Sequence, residues 1–481
     1  MAYFKEGREK HADTNPITQG VIWKQLLKYF APLLFSSFLQ LFYNTADTMI
    51  VSRFVGKVAL TAVGGSAGQI YAMVSEFMIG ASGGAAVLLS HAYGARKRQL
   101  LDDGLHNAIA LALAMGAVFT VLGLAFSKMS LIAVGAPAET MQGSLLYLRV
   151  IFCGLIPSAV YNMGAAVLRA AGDSGKPLQF LLISSLLNIA LDYLFVAVLD
   201  GGIGGAAFAT VLTQTLSAAL VLLTLMKGKS KAYLLLVEEW TSHTPENGAR
   251  AQIPLMPLLK IRKLRIQRTI SLKMLRIGIP LGFETLMYTF SCVVLMSAVN
   301  TFGTDTVAAY AGFVRIESFY WMLEQALAVS ITTFVGQNLG AGRMDRVHGA
   351  VRQGAALMYL FMGSAIVVLY AGCPVWLGLF TTDADVLEIG VSMMRFLLPF
   401  YILYVPSGLF FATLRGMGES LRPTLITFFG VCVLRILWVL LVFPCVSTIR
   451  GLLICFPVSW SLTAVIYALY FSRFRTHSQI N

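Results

Sequence analysis

The sequence predicts an all-α polytopic membrane protein, with twelve transmembrane helices in two six-helix lobes related by a pseudo-twofold along the membrane normal. Three observations carry that prediction. Hydrophobic residues make up 57% of the 481 residues and charged residues only 12%, against about 45–50% and about 25% in soluble domains. The apolar residues fall into runs long enough to cross a bilayer. Motifs of the first half return in the second at almost one fixed separation. With a mean hydropathy of +0.75, a water-soluble enzyme, a nucleic-acid binder and a disordered chain are excluded, because so few charges cannot cover that much apolar surface.

A spanning helix needs roughly 20 mostly apolar residues. Twelve such runs are read in order: 26–52, 65–91, 104–126, 144–168, 178–199, 204–226, 277–301, 306–335, 350–372, 390–413, 424–443 and 451–472. Several contain Gly, Pro or a charge, which a bundle interior tolerates and lipid does not. A barrel is ruled out, since the runs are too long and lack two-residue alternation. The polar start MAYFKEGREKHADTNP lacks a signal-peptide core. Six cysteines, Cys153, Cys292, Cys373, Cys432, Cys445 and Cys455, sit in or beside apolar runs without ligand spacing, and read as small buried hydrophobes.

Lys and Arg set the orientation. With the N-terminus inside, 28 of the 36 basic residues fall in cytoplasmic segments, four in outer ones and four within spans. Both termini are therefore expected in the cytoplasm, in the inner membrane, with the net charge of +13 facing an anionic leaflet. Residues 227–276 are long and basic, and divide the chain into an N-terminal lobe over 1–226 and a C-terminal lobe over 277–481. This linker is expected to be cytoplasmic, with an amphipathic surface helix near 258–275.

The halves repeat. SHAYGA at 90–95 matches GQNLGA at 336–341, and LRAAGDSGKP at 168–177 matches LRGMGESLRP at 414–423, both displaced by 246. TAVGG at 61–65 matches AAYAG at 308–312, displaced by 247. Six helices per half give two lobes running in the same direction, with a cavity between them suited to alternating access.

YNTADTMIVSRFVG at 43–56, LSHAYGARKR at 89–98, VLRAAGDSGKP at 167–177, LLNIALDYLF at 186–195, GGIGGAAFAT at 201–210, RIGIPLG at 276–282, FVGQNLGAGRMDRV at 334–347 and TLRGMGESLRPT at 413–424 together resemble the MATE (multidrug and toxic compound extrusion) family, over about 24–470. The resemblance implies secondary active efflux of organic, often cationic, compounds driven by Na⁺ or H⁺. It implies no cofactor beyond that ion, and the chain is expected to act as a monomer in lipid without nucleic acid. A lipid-linked precursor flippase of a related two-lobe superfamily is the alternative, opposed by twelve rather than fourteen spans and by the acid pattern below. A channel or receptor is a third reading, disfavoured by the duplicated, Gly- and Pro-interrupted lobes. No phosphate loop, HExxH or credible triad is present, so no enzyme is expected.

An acid inside a span is a functional candidate by default. The first span carries Ser36, Gln40, Tyr43, Asn44 and Asp47 at helical spacing. The fifth carries Asn188 and Asp192 one turn apart, and the sixth carries Thr210. At about 1.5 Å per residue this set falls at mid-depth and in the outer half of the N-terminal lobe. Two carboxylates, an amide oxygen and a hydroxyl suit a small hard cation, or a proton shared between crowded acids. A hydrogen-bonded cluster locking the three helices is the structural alternative. In one branch of the family, an Asp on helix 1, an Asn-x-x-x-Asp on helix 5 and a Thr on helix 6 form the coupling-ion site. The resemblance carries that role onto Asp47, Asn188, Asp192 and Thr210. At the 246 displacement their C-terminal counterparts are Leu434 for Asn188, Trp438 for Asp192 and Phe456 for Thr210, so the second lobe does not repeat the chemistry.

Substrate contacts are expected from Gln40, Tyr43, Asn44, Tyr161, Asn162, Glu284 and Met287, with Met163 and Tyr288 as further lining. Glu317 and Glu324 share a face of the eighth span, with Arg315, Arg395 and Arg435 as candidate partners. Pairing that holds the lobe together and attraction of a cationic substrate are both open to them.

Overall fold

The computed structural model describes residues 17–227 and 258–480. Its spanning helices are α1 (Ile22–Phe54), α2 (Val63–Gly94), α3 (Arg98–Ala133), α4 (Met141–Cys153 and Leu155–Ala170, bent by 47°), α5 (Gly175–Val198) and α6 (Gly202–Lys227). The second set is α7 (Arg268–Phe302), α8 (Thr304–Gly340), α9 (Met344–Ala371), α10 (Ala384–Gly416), α11 (Leu421–Val446) and α12 (Ile449–Arg473). Among the described residues there is no strand, as a hydrocarbon solvent that cannot satisfy an open sheet edge requires. Helix α8 carries Glu317, Glu324, Gln337 and Asn338, none of them exposed, and packs against α1, α2, α9 and α10, while its Arg315 and Gln325 are exposed.

The described residues form two cores. One gathers α2–α6 around Leu105, Leu148, Phe152 and Val221. The other gathers α7–α12 around Tyr320, Met358, Tyr401 and Trp460. Helix α1 belongs to both: Leu26 and Phe30 are buried in the second core and Val51 in the first.

The internal repeat is visible in the backbone. Left-handed residues recur in pairs at the helix ends: Gly56 and Gly303, Arg96 and Gly342, Gly172 and Gly418, Asp200 and Ser447. Their separations are 247, 246, 246 and 247. Each change of separation coincides with a π-turn, which inserts one extra residue into an α-helix. One, Val63–Ala67, lies in α2 and has no equivalent in α8. Another, Phe428–Val433, lies in α11 and has no equivalent in α5. Past that second turn the displacement is 247, which corrects the counterparts expected from a constant 246. Asn188 pairs with Arg435 rather than Leu434, Asp192 with Val439 rather than Trp438, and Thr210 with Pro457 rather than Phe456.

The lobes meet along a seam at the end of the molecule that carries Arg96, Lys97, Arg268 and Lys273, called here the basic side. Gly80 and Gly84 of α2 lie against Gly282 and Gly278 of α7, and Gly94 against the Gln337 carbonyl of α8. A Cβ at Gly80 would lie 2.6 Å from the Gly282 Cα, so only glycine allows this backbone approach. Polar contacts cross the same seam. His91 Nε2 lies 2.7 Å from the Gly416 carbonyl, and Gln337 Nε2 donates to the Ala170 carbonyl at 2.7 Å. Ser330 Oγ donates to the Leu26 carbonyl at 2.9 Å.

One expectation for the chain near the seam needs correction. Residues 258–275 do not form one surface helix: a 3₁₀ turn at Ile261–Lys263 is followed by extended chain, and α7 begins at Arg268. The approach is tethered to the start of α3 instead. Lys263 pairs with Asp102 at 2.9 Å and Arg265 with Asp103 at 2.7 Å, while the Asn107 side chain accepts from Gln267 N and Ser271 Oγ. Residues 228–257 of the expected linker lie outside the described residues. Arg346, counted from sequence among the cytoplasmic basic residues, is buried. It donates to the carbonyls of Ile17, Gln19 and Gly20 and to Asn338, pinning the entry to α1.

Gly80→Val should force α2 from α7. Overpacking of this kind costs about 1–3 kcal/mol, so the purified protein is expected to melt several degrees lower. Gly363, with open space around its missing Cβ, provides the control: Gly363→Ala should melt at or slightly above the wild type.

Candidate functional site

In the N-terminal lobe the structure brings together all four residues expected to form the cation site. Asp47 of α1 faces Asp192 of α5 closely enough for the two carboxyl groups to interact. Asp192 and Asn188 are fully buried, and Thr210 is nearly so. The Tyr43 hydroxyl lies beside Thr210 and both carboxylates, and Tyr147 of α4 is buried next to the same acids.

What distinguishes the cluster is its unanswered oxygen. Both carboxylate oxygens of Asp192, Oδ1 of Asp47 and the whole amide of Asn188 are buried without a hydrogen-bond partner among the described residues. Thr210 Oγ1 donates back to the Ala206 carbonyl at 3.2 Å, which leaves its lone pairs facing the cluster. A structural lock would spend its polar atoms on one another, as Ser217 and Ser184 do nearby at 2.6 Å. Adjoining carboxylates that lack donors instead demand a positive charge between them, either a hard monovalent cation or a proton.

Three further residues complete the cluster and were not expected. Tyr71 of α2 accepts from Gln214 Nε2 at 2.7 Å and approaches Ser75 and Ser158, while Gln214 Oε1 remains unpartnered. Gln214 stands one turn beyond Thr210 on α6, so its face was readable from spacing. Tyr147 comes from a helix without any acid and Tyr71 from one whose acid, Glu76, is five residues away, and nothing in their spacing marks them.

The expected substrate contacts divide. Tyr43 joins the cation cluster, whereas Gln40 and Asn44 are exposed. Asn162 is half-buried, with Nδ2 3.5 Å from Ser158 Oγ, and Tyr161 donates to the Pro177 carbonyl at 3.4 Å. Met163 is buried in the N-terminal core and lines nothing. Met287 is half-buried. Glu284 lies beside Thr424, Thr427 and Arg415.

In the C-terminal lobe the pairing differs from expectation. Arg315 and Arg395 are exposed. The partner of Glu324 and Glu284 is Arg415, which sequence placed among the cytoplasmic charges; its guanidinium packs against Gly83 at the seam. The partner of Glu317 is Arg435. Glu317 also accepts a hydrogen bond from the Tyr401 hydroxyl.

A family model described as MatE matches residues 32–194 and 280–441, one block in each lobe. A probable multidrug resistance protein, YoeA of Bacillus subtilis, is 27% identical over 415 residues, covering 85% of this chain and 84% of its own. A probable multidrug resistance protein, NorM of Thermotoga maritima, is 26% identical over 419 residues, covering 86% of this chain and 84% of its own. A solved outward-facing structure of a multidrug resistance MATE family transporter of the MOP superfamily aligns with a TM-score of 0.84. It is 22% identical, and the alignment covers 98% of this chain and 99% of that one. That likeness speaks for the fold.

Asp192→Asn removes one of two crowded carboxylates and should relieve about 1 kcal/mol of repulsion. In cation-poor buffer above neutral pH the variant is therefore expected to melt about 2 °C or more above the wild type. Added Na⁺ or a lower pH should raise the wild-type melting temperature and leave the variant where it is. A variant that melts lower and keeps the ion response would remove Asp192 from the site.

Proposed function

This chain belongs to the MatE family, and from that premise we propose that it is a secondary active antiporter. It exports organic compounds, many of them cationic, in exchange for Na⁺ or H⁺ by alternating access. The observation that carries the reading is half-buried Asp47 facing fully buried Asp192, with Oδ1 of the first and both oxygens of the second lacking a donor among the described residues. A permanently unpaired pair of this kind is costly inside a bilayer, and an exchangeable cation removes the cost. The names of the curated relatives, probable multidrug resistance proteins, support the export of organic compounds.

The coupling ion binds at Asp47, Asn188, Asp192 and Thr210, with Tyr43 alongside. Asp47 and Tyr43 sit on α1, a helix that belongs to both cores. Loading the site removes negative charge from that helix, which lowers its attraction for a cationic substrate and changes what its polar face must contact. By linkage, substrate weakens ion binding by the same factor. Glu284 supplies a second acid, tempered by Arg415.

The basic side faces the cytoplasm, in keeping with the preference of Lys and Arg for the inner leaflet. The seam of α2, α7 and α8 then closes the cytoplasmic side, which corresponds to the outward-facing half of the cycle. A cysteine at Asp383, an exposed helix cap, should label from outside in intact cells, and a reporter fused near Gly248 should remain inside. Labelling of position 383 only after permeabilisation would reverse the orientation.

Purified protein in liposomes, given Na⁺ and pH gradients separately, should expel an organic cation under one of them. In detergent, that ion should weaken equilibrium substrate binding, and Asp47→Asn should abolish most of the dependence. Wild-type affinity that is flat against both ions, or full ion dependence retained in Asp47→Asn, would defeat the shared-site mechanism.

A further inference from the structure

The C-terminal lobe holds the repeat counterpart of the cation site, and it is built differently. Asn188 corresponds to Arg435, across the extra π-turn of α11. Tyr71 corresponds to Glu317, at the displacement of 246 that holds beyond the π-turn of α2. Asp192 corresponds to Val439, and Asp47, at the displacement of 247 set by Gly56 and Gly303, to Val294. Both carboxylates are thus replaced by valine. A guanidinium and a single carboxylate stand where the N-terminal lobe has an amide and a phenol.

The surroundings of Arg435 are those of a bound cation. Its side chain is 1% exposed. The guanidinium lies over three ring faces, with Cζ 4.3 Å from the centroid of Phe456, 5.6 Å from Tyr288 and 5.9 Å from Trp460. Nε donates to Ser459 Oγ at 3.4 Å, and Nη2 donates to nothing among the described residues. Held by ring faces, the Ser459 and Tyr288 hydroxyls and one nearby carboxylate, with Nη2 unshared, the group is caged as an ammonium-type ligand is caged, not clamped in a fork. The charged or titratable groups that face it are Glu317, Tyr288, Cys292 and Cys455. Tyr401 and Trp321 hold Glu317 from the other side.

We infer that Arg435 is a tethered cation occupying the second of the two pseudo-symmetric ion sites. The C-terminal lobe is therefore permanently loaded, and ion exchange is confined to the N-terminal lobe. This rests on the reading of the N-terminal cluster as the exchangeable site only for its second clause; the tethered cation stands on the C-terminal geometry alone. The site is formed by Glu317, Tyr288, Phe456, Trp460 and Ser459. The free ligand it would take, once the tether is cut, is a small alkylguanidinium.

The test is thermal unfolding of the full chain in detergent, in an Asp192→Asn background so that the N-terminal site cannot contribute. Arg435→Ala leaves Glu317 without its counter-charge and is expected to melt about 5 °C or more lower. Ethylguanidinium, which replaces the atoms removed, should recover at least half of that loss. It should do nothing for the protein that retains Arg435, or for Arg435→Ala combined with Glu317→Gln. Unaltered melting of Arg435→Ala, absence of rescue, or equal rescue of the double variant would each overturn the inference. If Arg435→Ala does not accumulate, the charge cycle decides. The double variant should then be more stable than Glu317→Gln alone, which leaves the guanidinium unpaired. A double variant less stable than Glu317→Gln would overturn the inference. None of these readouts depends on transport, so failure of the antiport reading would leave them unchanged.

Discussion

An ionised group inside a bilayer must keep its counter-charge within reach, because neither water nor lipid will supply one. The interior of this protein is arranged around that constraint. Helix α8 carries Glu317 and Glu324, neither of them exposed, and packs against α1, α2, α9 and α10. Arg415 supplies positive charge near Glu324 and Glu284 at the seam, and Arg435 near Glu317 within the C-terminal core. Asp47 and Asp192 crowd together with no arginine near them. The acids near an arginine hold structure, and the crowded pair is where an ion from solution has work to do.

Helix α1 links that crowded pair to the rest of the molecule. Near its start the chain is pinned by Arg346. One turn further, the Leu26 carbonyl and Tyr29 are tied to α8 by Ser330 and Thr333. Tyr29 also donates to the Arg169 carbonyl of α4 at 2.8 Å. Beyond Pro32, which interrupts the hydrogen-bond ladder, the helix turns its Tyr43 and Asp47 into the N-terminal lobe. A change of charge at Asp47 thus acts on a helix anchored to both lobes at one end and weakened by a proline in between. Glycines at the α2–α7 contact leave no side chain to cushion the approach of the lobes, so the seam is either made closely or lost, which suits a two-state movement.

Much of this was legible in the sequence. The apolar runs and the repeat give twelve helices and two lobes, because a hydrocarbon solvent leaves few alternatives. Asp47, Asn188, Asp192 and Thr210 were legible because acids in spans are rare and helical spacing assigns their faces. Tyr71 and Tyr147 were not, since an aromatic in an apolar run carries no signal until a neighbouring helix delivers an acid to it. Arg415 was counted among the cytoplasmic charges because it lies near a helix end; its place beside Gly83 of α2 and near Glu284 and Glu324 emerges only from the packing. The repeat register failed at α11 for a local reason: a π-turn inserts a residue without leaving a turn signature in the sequence. A one-residue shift is enough to exchange Leu434 for Arg435 as the partner of Asn188.

That shift also bears on why a duplicated transporter need not work symmetrically. An ion can move a conformational equilibrium only by the difference in its affinity for the two states. A cation fixed by a covalent chain is present in both states at the same concentration and cannot enter or leave, so it contributes nothing to coupling. A cation drawn from solution contributes its full differential affinity. Replacing two carboxylates by Val294 and Val439 and supplying the charge from Arg435 therefore changes the C-terminal lobe from an exchanger into a scaffold. Against that scaffold the N-terminal lobe, with Asp47 and Asp192 intact, can respond to the ion gradient alone. Two exchangeable sites would have to load in concert or waste ion on half-loaded states. One exchangeable site opposite a permanently loaded one needs no such coordination.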